Sequence, residues 1–424
     1  MAAKDTEITP QRWTIAVLAV FLLFGFGFGN WLARIPAVRD HLGASTFEMS
    51  VIGLVLASGS VLGLVFAGQT VTLIGPRRAI LFGALGQAVF MPLGATLLWF
   101  DLRIPGMLAL ACFGFFFSTS DVAMNVSGAA AERALGKSRM PILHGGYSLG
   151  GVSAMGLGAL AEHLRVPVPI HLAVVFAFIV AAIALAVRWI PRVEPTAVPD
   201  GPVPASTNTG PIHLPPLPPA PSGAPAAYNP WRDPRIIVIG LVAMSLSFTE
   251  GTATDWLPLA LADHRGFSNP AAALALGVFF VAMLSTRAAG SVLLARFGRV
   301  TILRASAVTA GVGIVLMNVL PFTWAAYASA ALWGIGSALG FPIGVSAAAD
   351  DPAKAVRGVA TVSAIAYAAF LIGPMAIGFL GEHFGLLRAF LPLIGLLVFV
   401  VFAARAAREP GAGPGTQAGR VETG

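Results

Sequence analysis

Twelve apolar runs, each about 20 residues long, constrain the fold of this chain more than any other feature of its sequence. A helix of about that length crosses the hydrocarbon core of a bilayer. The runs lack the alternation of apolar and polar residues that a membrane β-barrel requires. The sequence therefore predicts an all-α polytopic membrane protein with spans near residues 13–33, 48–69, 78–99, 106–131, 141–161, 168–189, 236–257, 271–294, 301–320, 324–347, 358–380 and 386–404.

The composition supports this fold class and argues against nucleic-acid binding, a disulfide framework and a metal site. Only 11% of the residues are charged and 57% are hydrophobic, which is too few charges for a water-exposed surface. The net charge of +7 comes from arginines scattered singly between the spans, so we expect no nucleic-acid partner. Cys112 is the only cysteine, and the histidines show no metal-ligand spacing. We predict no disulfide, no metal and no cofactor.

The distribution of positive charge predicts the topology. The first apolar run is longer than the 7–15 residues of a signal-peptide core, so it is interpreted as a retained span. Of the 26 lysines and arginines, 19 fall on one side of the predicted membrane and 6 on the other, with Arg287 inside a span. The positive-inside rule places both termini in the cytoplasm of a multi-pass protein of the inner membrane.

A proline-rich segment divides the spans into two sets of six. Residues 1–190 and 235–410 are predicted to form two six-helix bundles, joined by residues 191–234 and followed by a disordered tail, 411–424. The segment 191–234 contains LPPLPPAP and almost no periodic apolar pattern, which favours polyproline II or disorder. It is interpreted as a cytoplasmic linker; the alternative is a ligand for an SH3-type domain.

The two halves resemble each other in sequence. A shift of 223 residues brings Gly43 and Gly75 onto Gly266 and Gly298. A shift of 220 residues superposes a second group, in which Tyr147, Met155, Gly158, Leu160, Glu162 and His163 match Tyr367, Met375, Gly378, Leu380, Glu382 and His383. Two six-helix units of the same orientation form the parallel repeat of one transporter class, so the bundles are predicted to be pseudo-symmetric.

Polar residues on the fourth and fifth spans form the first candidate site. Asp121 and Asn125 share a helical face with Glu132, and His144 and Ser148 repeat this spacing on the next span. Asn125 could meet Ser148, and His144 could meet Asn125 or Glu132. Because burial favours the neutral form of a carboxylic acid, Asp121 is suited to carry a proton. The alternative is a structural hydrogen bond between the two helices.

The first and seventh spans carry the other candidates. Glu250 is the second predicted proton site, and Asp255 near the outer end of its span is either a substrate ligand or an interfacial carboxylate. Asn30 and Arg34 share a face of the first span and are candidate substrate ligands. Arg34 could clamp an anionic or hydroxyl-rich solute, pair with Glu250 or Asp255, or extend to the interface. Arg287 is expected to have a structural ion-pair partner, which the sequence does not identify.

A loop motif follows the second span and has a weaker copy after the eighth. The first copy holds Gly68, Gly75, Arg77 and Arg78, and the second holds Arg296 and Gly298. This motif resembles the helix 2–3 gating loop of the major facilitator superfamily, although Thr72 replaces its acidic residue. Five segments resemble the fucose-permease-related, YbjJ-type bacterial members: Trp31-Leu-Ala-Arg34-Ile-Pro36, Asp121-Val-Ala-Met-Asn125, His144-Gly-Gly-Tyr-Ser148, Glu250-Gly-Thr-Ala-Thr-Asp255-Trp256 and Gly373-Pro374.

The resemblance implies a monomeric secondary transporter with the fold of that superfamily. It would move a small polar solute, sugar-like or a related metabolite, by proton symport and alternating access. Alternatives are proton-antiport efflux of drugs or metabolites, and a non-transporting receptor or sensor. No Walker sequence occurs, and the His144–Ser148 pair has only Glu132 as a conceivable orienting acid, so we do not expect an enzyme.

Overall fold

The structure is a computed structural model that describes residues 8–135, 139–192, 229–351 and 354–409. Most of the predicted linker 191–234 and the whole predicted tail 411–424 lie outside the described residues. The first half contains six helices: α1 (Pro10–Leu42), α2 (Thr46–Ile74), α3 (Pro76–Trp99), α4 (Arg103–Leu135), α5 (Met140–His163) and α6 (Val168–Ala186).

The second half repeats this arrangement with two breaks. It contains α7 (Pro234–Arg265), α8 (Asn269–Ala288), α9 (Gly290–Val319), α10 (Thr323–Ser337), α11 (Gly340–Ala348), α12 (Ala355–Phe384), α13 (Leu386–Ala389) and α14 (Pro392–Ala403). The pair α10 and α11 forms one span, and α13 with α14 forms another. We call the end of the bundle where α1 begins the near face, and the end where α1 finishes the far face.

All twelve predicted spans fall on helices. Among the described residues, eleven spans are long and apolar enough to cross a membrane, and the 24-residue α5 is a further helix of spanning length. The predicted span 271–294 covers α8 and the first part of α9, because α8 ends at Ala288 and the chain is helical again from Gly290 to the turn at Gly298. The short break at Ala289 was not predicted.

The turns of the two halves use the same backbone conformations at equivalent positions. Gly43 and Gly266 end α1 and α7 with φ of 55° and 64°. Gly75 and Gly298 follow α2 and the first part of α9, with φ/ψ of 77°/157° and 73°/162°. Glycine adopts the first pair of angles more readily than other residues, and the second pair is accessible almost only to glycine. These two matched pairs agree with the predicted repeat.

Glycines let the helices of each half approach closely. A Cβ at Gly25 or Gly150 would collide with a backbone carbonyl across the α1–α5 contact, and one at Gly59 would collide with Ala111 across the α2–α4 contact. The hydrophobic effect does not drive apolar helices together in lipid. Small residues at helix contacts instead allow close van der Waals packing. The two halves then pack on each other along α5–α8 and α2–α12, with α1 also touching α7.

Candidate functional site

A buried ion pair lies at the centre of the second half. The Arg287 guanidinium donates from Nη2 to both carboxylate oxygens of Glu250, at 3.1 and 3.2 Å. Its Nε donates to the carbonyl oxygen of Ala338, at 3.0 Å. Ala338 lies in the break between α10 and α11, where the helix ends and its carbonyl is released. Arg287 therefore ties α7, α8 and the broken span together.

The His144 ring brings the first half to this ion pair. It lies on α5, which packs on α8, and within electrostatic reach of Arg287. The ring meets Phe21 of α1 edge to face, at 5.0 Å between centroids. Counted from the far ends of their helices at about 1.5 Å per residue, His144, Arg287 and Asp121 all lie about 28 Å deep. These groups thus share one level of the bundle.

Asp121 and Asn125 form a local arrangement on α4. The Asn125 amide donates to the Asp121 carbonyl at 2.8 Å and approaches its carboxylate at 3.4 Å. The Ser148 hydroxyl donates within α5 to the His144 carbonyl, at 3.3 Å. Asn125 and Ser148 therefore do not make the expected contact, because α4 packs mainly on α2 and α3 while α5 lies along α1 and α8.

Glu132 binds the start of α5 and not His144. Its carboxylate accepts from the backbone N–H groups of Arg139 and Met140, at 2.5 and 2.8 Å. A carboxylate at a helix N-terminus satisfies free donors and is stabilised by the helix dipole. The Glu132 carboxylate thus caps the N-terminus of α5.

Of the three alternatives for Arg34, the structure excludes the pairing with Glu250 or Asp255. Arg34 is 2% exposed; its Nη2 pairs with Glu162 of α5 at 3.0 Å and also donates to the Val166 carbonyl at 2.7 Å. Asn30, fully buried one turn away, donates to the Phe26 carbonyl of its own helix at 2.8 Å. Both residues lie inside the first half. They are on the side of α1 opposite to Arg39, and Arg39 is the residue that contacts α7.

Asp255 differs from the other charged groups of the spans. It is partly exposed, although α7 is one of the most enclosed helices. It has no ion pair or hydrogen bond to any described residue. Asp255 is therefore a partly exposed carboxylate of a span that has no partner among the described residues.

The predicted gating loops lie at the near face. Their hydrogen bonds do not involve the acidic residue of the motif, because Thr72 replaces it. Thr72, which replaces the motif acid, donates within its helix to the Gly68 carbonyl at 2.8 Å. Arg77 donates to the Ile190 carbonyl at 3.1 Å. In the second half, Arg296 lies over the Phe297 ring.

A buried acid organises the near face of the second half instead. Asp350 accepts from Arg299 and from Arg235, both at 2.7 Å, and its side chain is 8% exposed. It follows α11 directly, so it links the beginnings of α7 and of the main part of α9. This acid occupies a position that the motif does not include.

Three contacts across the halves form what we call the far-face seal. Arg39 of α1 pairs with Asp263 of α7. The Asn269 amide donates to the Asp40 carboxylate at 3.0 Å, and the Phe47 N–H donates to Glu382 at 3.0 Å. Below them, Ser50 of α2 packs where a Cβ on Gly378 of α12 would lie. The far face is closed in this structure.

Sequence reasoning missed four of these acids. Asp263 and Asp350 lie beside helix ends, where a carboxylate resembles ordinary solvated charge. Glu162 and Glu382 were marked only as equivalent positions of the repeat. The structure gives the two glutamates different partners, Arg34 and the Phe47 N–H. Across the described residues, no His, Cys, Asp or Glu side chains gather in a group that could hold a metal ion.

Similarity to known proteins extends over nearly the whole chain. The sequence profile described as Major Facilitator Superfamily matches residues 16–361 and 241–423. The chain is 29% identical over 407 residues to the uncharacterized transporter y4wD of Sinorhizobium fredii, covering 93% of this chain and 97% of that protein. It is 25% identical over 410 residues to the membrane protein MosC of Rhizobium meliloti, covering 95% and 92%.

Solved structures share the fold at low identity. The nucleoside transporter NupG superposes with a TM-score of 0.69 at 14% identity, covering 93% of this chain and 98% of that chain. The transporter FucP in its outward conformation gives a TM-score of 0.61 at 14% identity, covering 93% and 98%. These likenesses show the fold alone.

Proposed function

Because this chain belongs to the major facilitator superfamily, we propose that it carries a small polar, sugar-like solute across the inner membrane by proton symport. Membership in the family makes it a multi-pass membrane protein that transports solutes and not an enzyme. Its two halves would rock about a central site, opening it to each side in turn. We propose that it acts as a monomer.

The observation that carries proton coupling is the Glu250–Arg287 pair beside His144. The pair is buried, with side chains 9% and 1% exposed, and Arg287 lies on α8, which packs on α5 of the first half. A proton on Glu250 would remove the counter-charge of Arg287 and so weaken the bond between α7 and α8. Asp121 at the same level is the second proposed proton carrier. Protonation that differs between two conformations shifts their populations.

The orientation follows from the positive charges. The near face carries the excess of lysine and arginine, so it is the proposed cytoplasmic face and both termini lie there. The far-face seal then closes the periplasmic side. The bacterial protein FucP is described as a fucose:proton symporter, which supports symport of a hydroxyl-rich solute for a chain of the same fold.

The test replaces Asp121, a proposed proton carrier. Asp121→Asn is expected to abolish proton-driven uphill uptake into proteoliposomes while solute exchange continues, because exchange needs no net proton movement. An internal pH dye measures proton entry as sugars, polyols, organic acids and cationic drugs are added. Asp101→Asn, in the exposed turn before α4, is the control and should behave as wild type.

Three outcomes would contradict this assignment. Uphill accumulation that persists in Asp121→Asn would remove Asp121 from the coupling step. A solute that drives protons outward would establish the antiport alternative. Ligand-induced thermal stabilisation without any flux would instead favour the receptor alternative.

A further inference from the structure

We propose that Asp255 and Thr252 of α7 bind a protonated amine, so that the solute is a hydroxylated amine and not an anion. This inference rests on the proposed transport function and specifies its substrate class. It is argued from the face of α7 on which the two side chains lie, from their missing partners, and from the pairing of the buried arginines.

Asp255 lies on the side of α7 that is turned away from the body of the second half. Trp256 packs on α12, at Gly378, and Leu257 and Ala260 are fully buried. Glu250 points toward α8, where it meets Arg287. The remaining side carries Asp255, and α7 contacts α1 of the other half. The exposed part of this carboxylate therefore opens into the space between the halves.

Thr252 supplies a second group without a partner on the adjacent turn. Residues three apart lie on one helical face, so its hydroxyl is a neighbour of Asp255. The hydroxyls of Ser245, Thr249 and Thr254 each donate to a carbonyl of their own helix. The Thr252 hydroxyl is buried, 3% exposed as a residue, and makes no such bond. Buried polar groups are nearly always hydrogen-bonded, so this hydroxyl is available to a ligand.

The indole N–H of Trp256 is a third unpartnered group on the same part of α7. Its Nε1 has no hydrogen-bond acceptor among the described residues, although the residue is only 2% exposed. Thr252 and Trp256 are four residues apart and share a face. The Trp256 ring packs on α12, however, so the proposed amine site consists of the Asp255 carboxylate and the Thr252 hydroxyl.

The ion pairs of the arginines around this site favour a cationic solute over an anionic one. The two most deeply placed described arginines are already neutralised: Arg34 by Glu162 and Arg287 by Glu250. Arg39 at the seal is held by Asp263 and Asp40. Asp255 forms no ion pair with any described residue. A buried carboxylate is costly unless it is paired, and a protonated amine is a suitable counter-ion.

The test uses matched probes that differ in a single charge. Glucosamine, galactosamine and 1-amino-1-deoxysorbitol are compared with glucose, galactose and sorbitol, and with glucuronate and galacturonate. Binding to the purified full-length protein is measured by calorimetry. We expect at least one amine to bind at least about tenfold more tightly than its hydroxyl parent, and neither acid to bind, since one lost charge pair corresponds to about tenfold in Kd.

Variants connect this preference to the residues. Asp255→Asn should lower the affinity for the amine about tenfold and leave that for the hydroxyl parent within about twofold. Thr252→Val, which keeps the shape, should lower both by about threefold, because it removes a neutral hydrogen bond. Asp101→Asn serves as the control. Thr252→Val keeps the proposal testable if Asp255→Asn does not fold.

Three results would overturn the proposal. The first is no binding of any amine to the wild type. The second is equal affinity for amine and hydroxyl parent. The third is a loss of proton entry in Asp255→Asn with unchanged amine affinity, which would make Asp255 a proton carrier. Amine uptake without proton movement would leave this inference standing and reject symport, so the two proposals fail separately.

Discussion

At the scale of single residues, the membrane makes every buried charge depend on its partner. Arg287 is 2% exposed, and its donors reach Glu250 and the carbonyl released at the α10–α11 break. Removing one member of a buried pair leaves an uncompensated charge, whereas removing both leaves none. Loss of one partner is therefore expected to lower the free energy of unfolding more than loss of both.

We expect Glu250→Gln to lower the stability of the protein by about 3–5 kcal/mol, because the Arg287 charge stays buried without a counter-ion. The double variant Glu250→Gln with Arg287→Gln should recover more than half of this loss. Thermal unfolding in detergent measures both. Glu48→Gln, which removes a partner of the half-exposed Arg103, is the control and should change stability by less than about 1 kcal/mol.

The same scale shows what sequence reasoning reaches and where it stops. It predicted that Arg287 needs an ion-pair partner, because an arginine in a span is costly, and the structure shows this partner to be Glu250. It did not find the partner, since residues 250 and 287 lie on different helices. It left open whether Arg34 clamps a solute, pairs with Glu250 or Asp255, or extends to the interface, because the rotation of α1 that turns Arg34 to Glu162 depends on packing and not on spacing.

At the scale of helices, glycine contacts decide which elements lie side by side. Helix α5 rests along α1 because Gly25, Gly29, Gly150 and Gly158 remove side chains from the contact. Span positions were readable from hydropathy alone. The break between α10 and α11 was not, because apolar residues continue through it, whereas the turn at Gly298 falls in the loop predicted between spans 271–294 and 301–320.

We expect Gly150→Ala to destabilise the protein by about 1–3 kcal/mol, because the new methyl group would meet the Leu22 carbonyl of α1. The same change at Gly156, on the same helix, meets nothing within 4 Å. Alanine favours helix more than glycine does, so Gly156→Ala should be neutral or slightly stabilising. Equal melting temperatures for the two variants would contradict the close α1–α5 contact.

At the scale of the whole molecule, two similar halves meet at a seal made of dissimilar bonds. The repeat predicted from matched glycines agrees with the paired backbone angles at Gly43 and Gly266 and at Gly75 and Gly298. The seal was not predictable, because Arg39–Asp263 and Asp40–Asn269 join residues more than 220 positions apart near span ends. The partners in such contacts depend on how the halves are tilted.

Weakening the seal should open the far face. With Cys112→Ala as background, Ser50→Cys reports opening, because Ser50 is fully buried against α12. Asp263→Ala should raise the rate of its labelling by an impermeant maleimide about two- to fivefold, since a partly exposed pair contributes up to about 1 kcal/mol. The exchange Arg39→Asp with Asp263→Arg should restore slow labelling.

Arg103→Ala is the matched control for the seal. Its ion pairs with Glu48 and Asp101 also lie at the far face but stay within one half. Labelling of Ser50→Cys should therefore remain slow. Faster labelling in this variant would mean that general loosening, and not separation of the halves, exposes the probe.

The glycines and polar residues of α5 also affect how the chain is made. This helix carries His144, Ser148 and a series of glycines, and it is not among the spans apolar enough to cross by themselves. As the ribosome delivers it to the translocon, lipid alone would retain it poorly. Its long contact with α1 compensates for the low affinity of α5 for lipid. We therefore expect α1 to stay next to the translocon while α2, α3 and α4 are synthesised. Biogenesis of this protein thus depends on a partner synthesised about 120 residues earlier.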